Sequence, residues 1–349
     1  MDSQLPQLTV FSLGGTIAST RDAGGASGGV SPHLGAGELV AAIPELGAIA
    51  SIEAVSFREV SGGSLSFSDL TELAREIDAR FEAGVRGVVV TQGTDTIEET
   101  SFALDLLVQG SRPVVVTGAM RNPTLAGFDG PANLLAAVQV ALSPQASGLG
   151  TLVVLNDQIH AARFVRKTHT SNPATFLSPS VGALGWIVEG HPRIVLRTSA
   201  FDKLPPVDGA QVPAVALLTF TLGDDARMVS QLESLNYAGL VVAAFGGGHV
   251  PSLAVPALQD LATTMPVILA SRTGSGEVLQ ETYGFSGSER DLLAKGLISA
   301  GFLDGLKARI FLSLVLAGGS DIDGVRRAFQ VLNSSISQFD SEPFPSPTK

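Results

Sequence analysis

The stretch Val88-Val89-Val90-Thr91-Gln92-Gly93-Thr94-Asp95-Thr96-Ile97-Glu98-Glu99-Thr100 constrains the fold more than any other. An apolar, β-branched run halts at a small polar turn, and an acidic segment able to open a helix follows. Unbroken valines suit a strand buried on both faces, which calls for a parallel sheet covered by helices. In open sheets of that kind ligands bind in the crevice outside the carboxyl ends of the strands. Thr94 and Asp95 would stand at that edge, with helix-opening N–H groups facing any anion placed there. Near the start of the chain Leu8-Thr9-Val10-Phe11-Ser12-Leu13 runs into Gly14-Gly15-Thr16-Ile17-Ala18-Ser19, a second copy of the same design. A pair of strands that each end in Gly-Thr organises the molecule.

Strand signals recur at 8–13, 52–60, 86–91, 113–117 and 151–155, with helix-like segments at 36–43, 68–83, 96–109 and 130–142 between them. Segment 68–83 carries Leu70, Leu73, Ala74, Ile77 and Phe81 on one face, and Ser68 or Asp69 is able to cap it. Segment 186–197 reads as a hairpin turning at Gly190, which makes the sheet mixed at one edge. After the proline-rich Asp202-Lys203-Leu204-Pro205-Pro206-Val207-Asp208-Gly209, a connector with little to bury, the alternation restarts. It gives strand 213–219, helix 225–236, strand 239–245, helix 252–262 and strand 266–271, then helices at 289–295, 303–316 and 321–332. The expected class is α/β. A large N-terminal domain with a mostly parallel, mixed-edge sheet flanked by helices spans 1–201, with a linker at 202–212. A smaller C-terminal α/β domain with a parallel sheet spans 213–337, and a loose tail 338–349.

Composition narrows the chemistry. The 349 residues contain no cysteine, which excludes disulfides, thiolate catalysis and Cys-ligated zinc and leaves the redox compartment undecided. A net charge of −11 argues against a nucleic-acid partner, which leans on clustered Lys and Arg. The N-terminus lacks a basic start with an apolar core, and apolar runs are strand-sized, so no membrane partner and a cytoplasmic location are expected. His33, His160, His169, His191 and His249 are scattered without ligand spacing, so no metal is expected. Gly246-Gly247-Gly248-His249 is not Gly-x-Gly-x-x-Gly opening a Rossmann helix, and neither a P-loop nor Gly-x-Ser-x-Gly occurs. No cofactor is expected.

Thr16, a hydroxyl at a strand end behind two glycines, is placed as a nucleophile would be, or as a helix N-cap. Residues 20–33, rich in glycine, suit a lid that excludes water or a plain surface loop. Asp95 could hold an ammonium group beside the Thr94 hydroxyl; alternatively either residue caps the next helix, with Glu98 or Glu99 closing a capping box. Lys167, within Arg163-Phe164-Val165-Arg166-Lys167-Thr168-His169-Thr170, belongs to a surface basic cluster, or else lies buried near Asp95 and relays protons to Thr94.

Together these stretches resemble the bacterial-type L-asparaginase family. Gly14-Gly15-Thr16-Ile17-Ala18 is similar to its first signature and Gln92 to Thr100 to its second. Val116-Thr117-Gly118-Ala119-Met120-Arg121, Asp129-Gly130-Pro131-Ala132-Asn133-Leu134 and Lys167-Thr168 also match, in order, over nearly the whole chain. The resemblance implies cofactor-free hydrolysis of L-asparagine, with L-glutamine as an alternative substrate, in a homodimer or homotetramer with shared active sites. It implies that Thr16 is the nucleophile and that Thr94, Asp95 and Lys167 form a second triad, with Asp95 on the substrate's α-amino group. Ala119 would face the scissile amide by its backbone, and Glu289 would reach the amino group from the neighbouring subunit.

This sequence departs from the family at particular positions. The lid lacks the family's tyrosine: Gly29 stands at that position, and the tyrosines are Tyr237 and Tyr283. Gly62 falls on the family's substrate-contacting serine, flanked by Ser61 and Gly63, and His249 falls on an asparagine contributed across the dimer. Rival readings are a glutaminase-asparaginase and a non-catalytic amino-acid-binding protein. A third, the amidase subunit of a tRNA-dependent amidotransferase, is disfavoured by the short stretch before the first strand.

Overall fold

The computed structural model describes residues 5–21, 30–32, 34–198 and 201–337. The chain divides into compact units at Met1–Pro213 and Ala214–Lys349. The expected tail at 338–349, and Gly29 and His33 of the expected lid, lie outside the described residues.

In chain order the first unit contains β1 (Gln7–Gly14), β2 (Ser19–Arg21), β3 (Val30–Pro32), α1 (Ala36–Ala41), α2 (Leu46–Ile49), β4 (Ser51–Val60) and α3 (Phe67–Glu82). It continues with β5 (Gly87–Thr91), α4 (Ile97–Leu107), β6 (Val114–Thr117), α5 (Gly130–Leu142), β7 (Thr151–Leu155), β8 (Gln158–Ala161) and β9 (Arg166–Lys167). It closes with β10 (Phe176–Leu177), β11 (Gly185–Val188) and β12 (His191–Ile194). Its eight-stranded sheet runs β12-β11-β8-β7-β6-β5-β1-β4. The ladders from β4 to β7 are parallel, and those joining β7, β8, β11 and β12 are antiparallel. The sheet is thus mixed at one edge, as the hairpin signal implied. Its turn is made by Glu189 and Gly190, both at positive φ (53° and 75°), the geometry of a tight two-residue hairpin.

Valine-rich β5 and β6 are buried along their full length. Leu8, Val10, Val89, Val115, Leu152 and Val154 share one core with Leu134, Ala137, Val138 and Ala141 of α5. Small residues let α5 lie close: a Cβ on Gly87 would sit 2.2 Å from Ala141 O. Helix α3 buries Leu70, Leu73, Ala74, Ile77 and Phe81, the face read from sequence, but its cap is Ser66 rather than Ser68 or Asp69. Ser66 Oγ accepts from Asp69 N (3.3 Å) and Ser66 N donates back to Asp69 Oδ2 (2.9 Å), so Asp69 is the far corner of a capping box. The connector is more firmly held than its composition suggests. Lys203 Nζ donates to Asp105 O (2.6 Å), Leu204 N to Leu106 O (2.8 Å), and the Arg163 guanidinium lies over the Phe201 ring at 3.7 Å.

The second unit contains β13 (Val215–Thr219), β14 (Gly239–Ala244), α6 (Val255–Leu261), β15 (Val267–Ser271), α7 (Glu289–Ala294), β16 (Ile298–Ser299), α8 (Gly305–Ala317) and α9 (Ile322–Ser337). Its four strands form one parallel sheet in the order β13-β14-β15-β16. The expected helix over 225–236 does not form; a single 3-10 turn at Val229–Gln231 stands there. Local side-chain bonds compete with the helix. Asp224 Oδ1 accepts from Ala226 N (2.9 Å), Asp225 Oδ1 accepts from Arg227 N (3.2 Å), and Ala226 takes a left-handed φ of 59°. No helix among the described residues is long and apolar enough to cross a membrane.

Candidate active site

Strand order places the site. From β1 the chain first builds β4 on one side, then returns to add β5, β6 and β7 on the other. The order reverses between β1 and β5, and at such a switch point the connections leave in opposite directions and open a crevice beyond the carboxyl ends. Thr16 follows β1 and Thr94 follows β5, adjacent parallel strands in register Ser12↔Thr91. Their turns touch through backbone. Gly15 has φ 82°, and a Cβ built on it would lie 2.0 Å from Gly93 N. Only glycine fits there, for reasons of space and of conformation alike. The capping alternatives are overturned: Gly15 and Gly93 are the N-caps of the short turns Thr16–Ala18 and Thr94–Thr96, and Thr96 is that of α4, without side-chain capping bonds.

Lys167 arrives from a distant part of the chain. β9 pairs with β10 in antiparallel register Lys167↔Phe176, and Thr168 N donates to Thr175 O at 2.9 Å, which fixes the backbone. Lys167 Nζ then donates to Thr94 Oγ1 (2.9 Å) and to Asp95 Oδ1 (2.6 Å). The Lys167 side chain is 14% exposed and that of Asp95 82% exposed. A largely enclosed ammonium therefore holds a hydroxyl, while most of the Asp95 carboxylate faces outward, free to meet a cationic group. Because the lysine donates, the Thr94 proton must point elsewhere.

The remaining strand ends complete the edge. Ser61 and Gly63 are exposed and Gly62 is buried against the Thr94 turn, where a Cβ would sit 2.8 Å from Thr96 Oγ1 and 3.1 Å from Gly93 O. Gly62→Ser, which would place a serine at the family's position, is therefore expected to destabilise the protein by about 1–3 kcal/mol through overpacking. Denaturant midpoints at or above the parent's would contradict this. Ala119, fully buried, follows β6 in a turn held by Asp129 and Asn133. Asp129 accepts from Met120 N (3.1 Å) and Arg121 N (2.9 Å), and Asn133 Nδ2 donates to Gly118 O (2.9 Å).

His249 and Glu289 lie in the second unit, where they meet: His249 Nε2 is 3.2 Å from Glu289 Oε2. Glu289 Oε1 accepts from Thr282 N (2.9 Å) and Tyr283 N (2.7 Å), and within this unit the carboxylate is wholly enclosed. Burial pushes the Glu289 carboxyl up, but the N–H groups of Tyr283, Glu289 itself and Thr282, with the charge of His249, outweigh it and hold it below its ordinary value. The ring of Tyr283 packs edge-on to His249 at 4.9 Å and is half exposed, whereas Tyr237 packs against the core.

The model of the N-terminal asparaginase domain matches residues 7–199, and that of the glutaminase/asparaginase C-terminal domain matches 214–329. The chain belongs to the asparaginase/glutaminase family. It is a hydrolase of that family. Similar relatives include a probable L-asparaginase 4 of Schizosaccharomyces pombe, 33% identical with 94% of this chain and 90% of the relative covered. A probable L-asparaginase of Deinococcus radiodurans is 35% identical, covering 94% and 98% respectively. A crystal structure of a probable cytoplasmic L-asparaginase from Campylobacter jejuni superposes with a TM-score of 0.83 at 32% identity, over 93% of this chain and 99% of that one. Within this asparaginase-family chain, sequence reasoning assigned no role to Asp129 and Asn133, which hold the Ala119 turn, or to Gln92 and Thr96. An asparagine on the otherwise apolar buried face of α5 is the available signal for Asn133.

Proposed function

We propose that this protein is an L-asparaginase that hydrolyses L-asparagine to L-aspartate and ammonia through Thr16. The carrying observation is the bridge from Lys167 Nζ to Thr94 Oγ1 and Asp95 Oδ1, in a turn that touches the one bearing Thr16. Thr16 Oγ attacks the side-chain amide carbon, its proton passes to the departing nitrogen, and ammonia leaves an acyl-threonine ester. Water positioned by Thr94 then attacks that ester, releasing aspartate and restoring the hydroxyl. Backbone N–H groups at the two Gly-Thr strand ends stabilise the oxyanion of each step. Lys167 supports the Thr94 hydroxyl, Asp95 takes the substrate's α-amino group, and Ser61, Gly62, Gly63 and Ala119 line the rest of the substrate. His249 and Glu289 serve the site of a neighbouring copy in a homodimer or homotetramer.

On this reading residues 1–201 form the domain carrying the threonines and 213–337 the domain that completes the partner's site, joined by 202–212. A cytoplasmic location accords with the name of the Campylobacter jejuni neighbour. The test is ammonia release by purified protein from L-asparagine and L-glutamine. No release from either, with tight L-asparagine binding by calorimetry, would replace the enzyme with an amino-acid-binding protein. Comparable turnover of both amides would make it a glutaminase-asparaginase.

A further inference from the structure

Gln92 and Thr96 are placed between the turns that carry the proposed site. Gln92 is fully buried. Its Nε2 donates to Gly93 O at 3.2 Å and to Thr96 Oγ1 at 3.3 Å, and Thr96 Oγ1 donates in turn to Gly62 O at 3.1 Å. The ends of this chain fix its direction. A carbonyl only accepts, so the Thr96 hydroxyl must give its single proton to Gly62 and accept the amide proton of Gln92. The same rule orients the Gln92 amide, because the group that faces Gly93 O must be the NH2.

The turn being held lies close against Gly93, and Thr96 adds a hydrogen bond to that contact. Gly62–Ser64 is a short 3-10 turn with glycine at its first two positions. Its own bonds are internal: Ser64 N to Ser61 O (2.9 Å), Leu65 N to Gly62 O (3.2 Å) and Ser61 Oγ to Ser64 Oγ (3.0 Å). Adjacent glycines leave a chain with many conformations to lose when a ligand binds. A tether that selects one conformation beforehand lowers that cost and appears as affinity.

We propose that Gln92–Thr96–Gly62 is a positioning relay that sets the substrate-binding turn 61–64 against the Thr94–Asp95 turn, so that substrate affinity depends on it and the chemical step does not. It rests on the reading above that Ser61, Gly62 and Gly63 contact the substrate. Thr96 and Gln92 touch no reacting atom; they act through Gly62.

The test compares Thr96→Val, which keeps the shape and removes both bonds, with Thr96→Ser, which keeps both. For Thr96→Val the KM for L-asparagine is expected to rise about tenfold while kcat stays within about twofold, the pattern of lost uniform binding. Thr96→Ser restores the parental KM. A purely structural residue would instead lower the melting temperature and the active fraction, with an unchanged KM in the protein that remains. A parental KM in Thr96→Val, or a loss confined to kcat, overturns the relay. If Thr96→Val fails to fold, Gln92→Met, which removes the donor at similar length, carries the same expectation and the same refutation. A parent without turnover would remove the asparaginase reading and the relay together. An active parent with an indifferent Thr96→Val removes the relay alone.

Discussion

Thr16→Ala is expected to lower kcat/KM for L-asparagine by about 10,000-fold or more, a loss of at least about 5.5 kcal/mol of transition-state stabilisation. The expectation follows from placement. Thr16 leaves β1 at the switch point, on a turn that touches Gly93, and its side chain caps no helix there among the described residues. On the proposed mechanism no acyl ester forms without that oxygen, and only direct attack by water remains, aided by whatever oxyanion donors the strand ends supply. Residues that act as a unit lose activity non-additively. Adding Lys167→Met to Thr16→Ala should therefore cost far less than Lys167→Met does alone. Ammonia release in steady state, with L-aspartate binding as a control for an intact site, measures both. A Thr16→Ala protein retaining a tenth of parental turnover would end Thr16's candidacy as the nucleophile.

The next largest effect concerns stability in acid. His160 lies in the antiparallel part of the first sheet, 1% exposed, with Nδ1 2.9 Å from Ser178 Oγ and Nε2 enclosed without a hydrogen-bond partner among the described residues. Burial pushes its pKa from 6.5 down to about 4. Between those values the unfolded chain binds a proton that the folded one refuses. The contribution is therefore complete above pH 6.5 and is lost as the pH falls towards 4, to a total of about 3 kcal/mol. His160→Asn keeps a polar partner for Ser178 but does not titrate. The difference in unfolding free energy between parent and variant should change by that amount across this pH window. Parallel pH profiles for the two proteins would refute it.

These two residues were not equally visible in the chain. Thr16 and Thr94 could be read directly, because an apolar β-branched run ending in Gly-Thr is a local pattern and needs no knowledge of its neighbours. The adjacency of β1 and β5 is a matter of strand order, which no window along the sequence contains. Lys167 is harder still. It is carried by β9, a strand too short to show any periodicity, and its register comes from β10 and the Thr168–Thr175 bonds. The burial of His160 depends on the antiparallel return at β8, a four-residue strand whose pairing with β7 no local pattern shows. The expected helix over 225–236 is different: the strand–helix alternation placed one there, while closely spaced Asp and Ser side chains bond the nearby backbone instead. Glu289 was found by likeness alone, and its enclosure by Thr282, Tyr283 and His249 could not be read from spacing.

The contact between Gly15 and Gly93 joins peptide to peptide, with no side chain between them. Side chains can hop between rotamers, but a main-chain junction has no such freedom. The spacing of the two threonine-bearing turns is accordingly set by the main chain rather than by packing elsewhere in the molecule. A library randomised at position 15 should yield active clones with glycine alone, whatever compensating changes are permitted in the surrounding core.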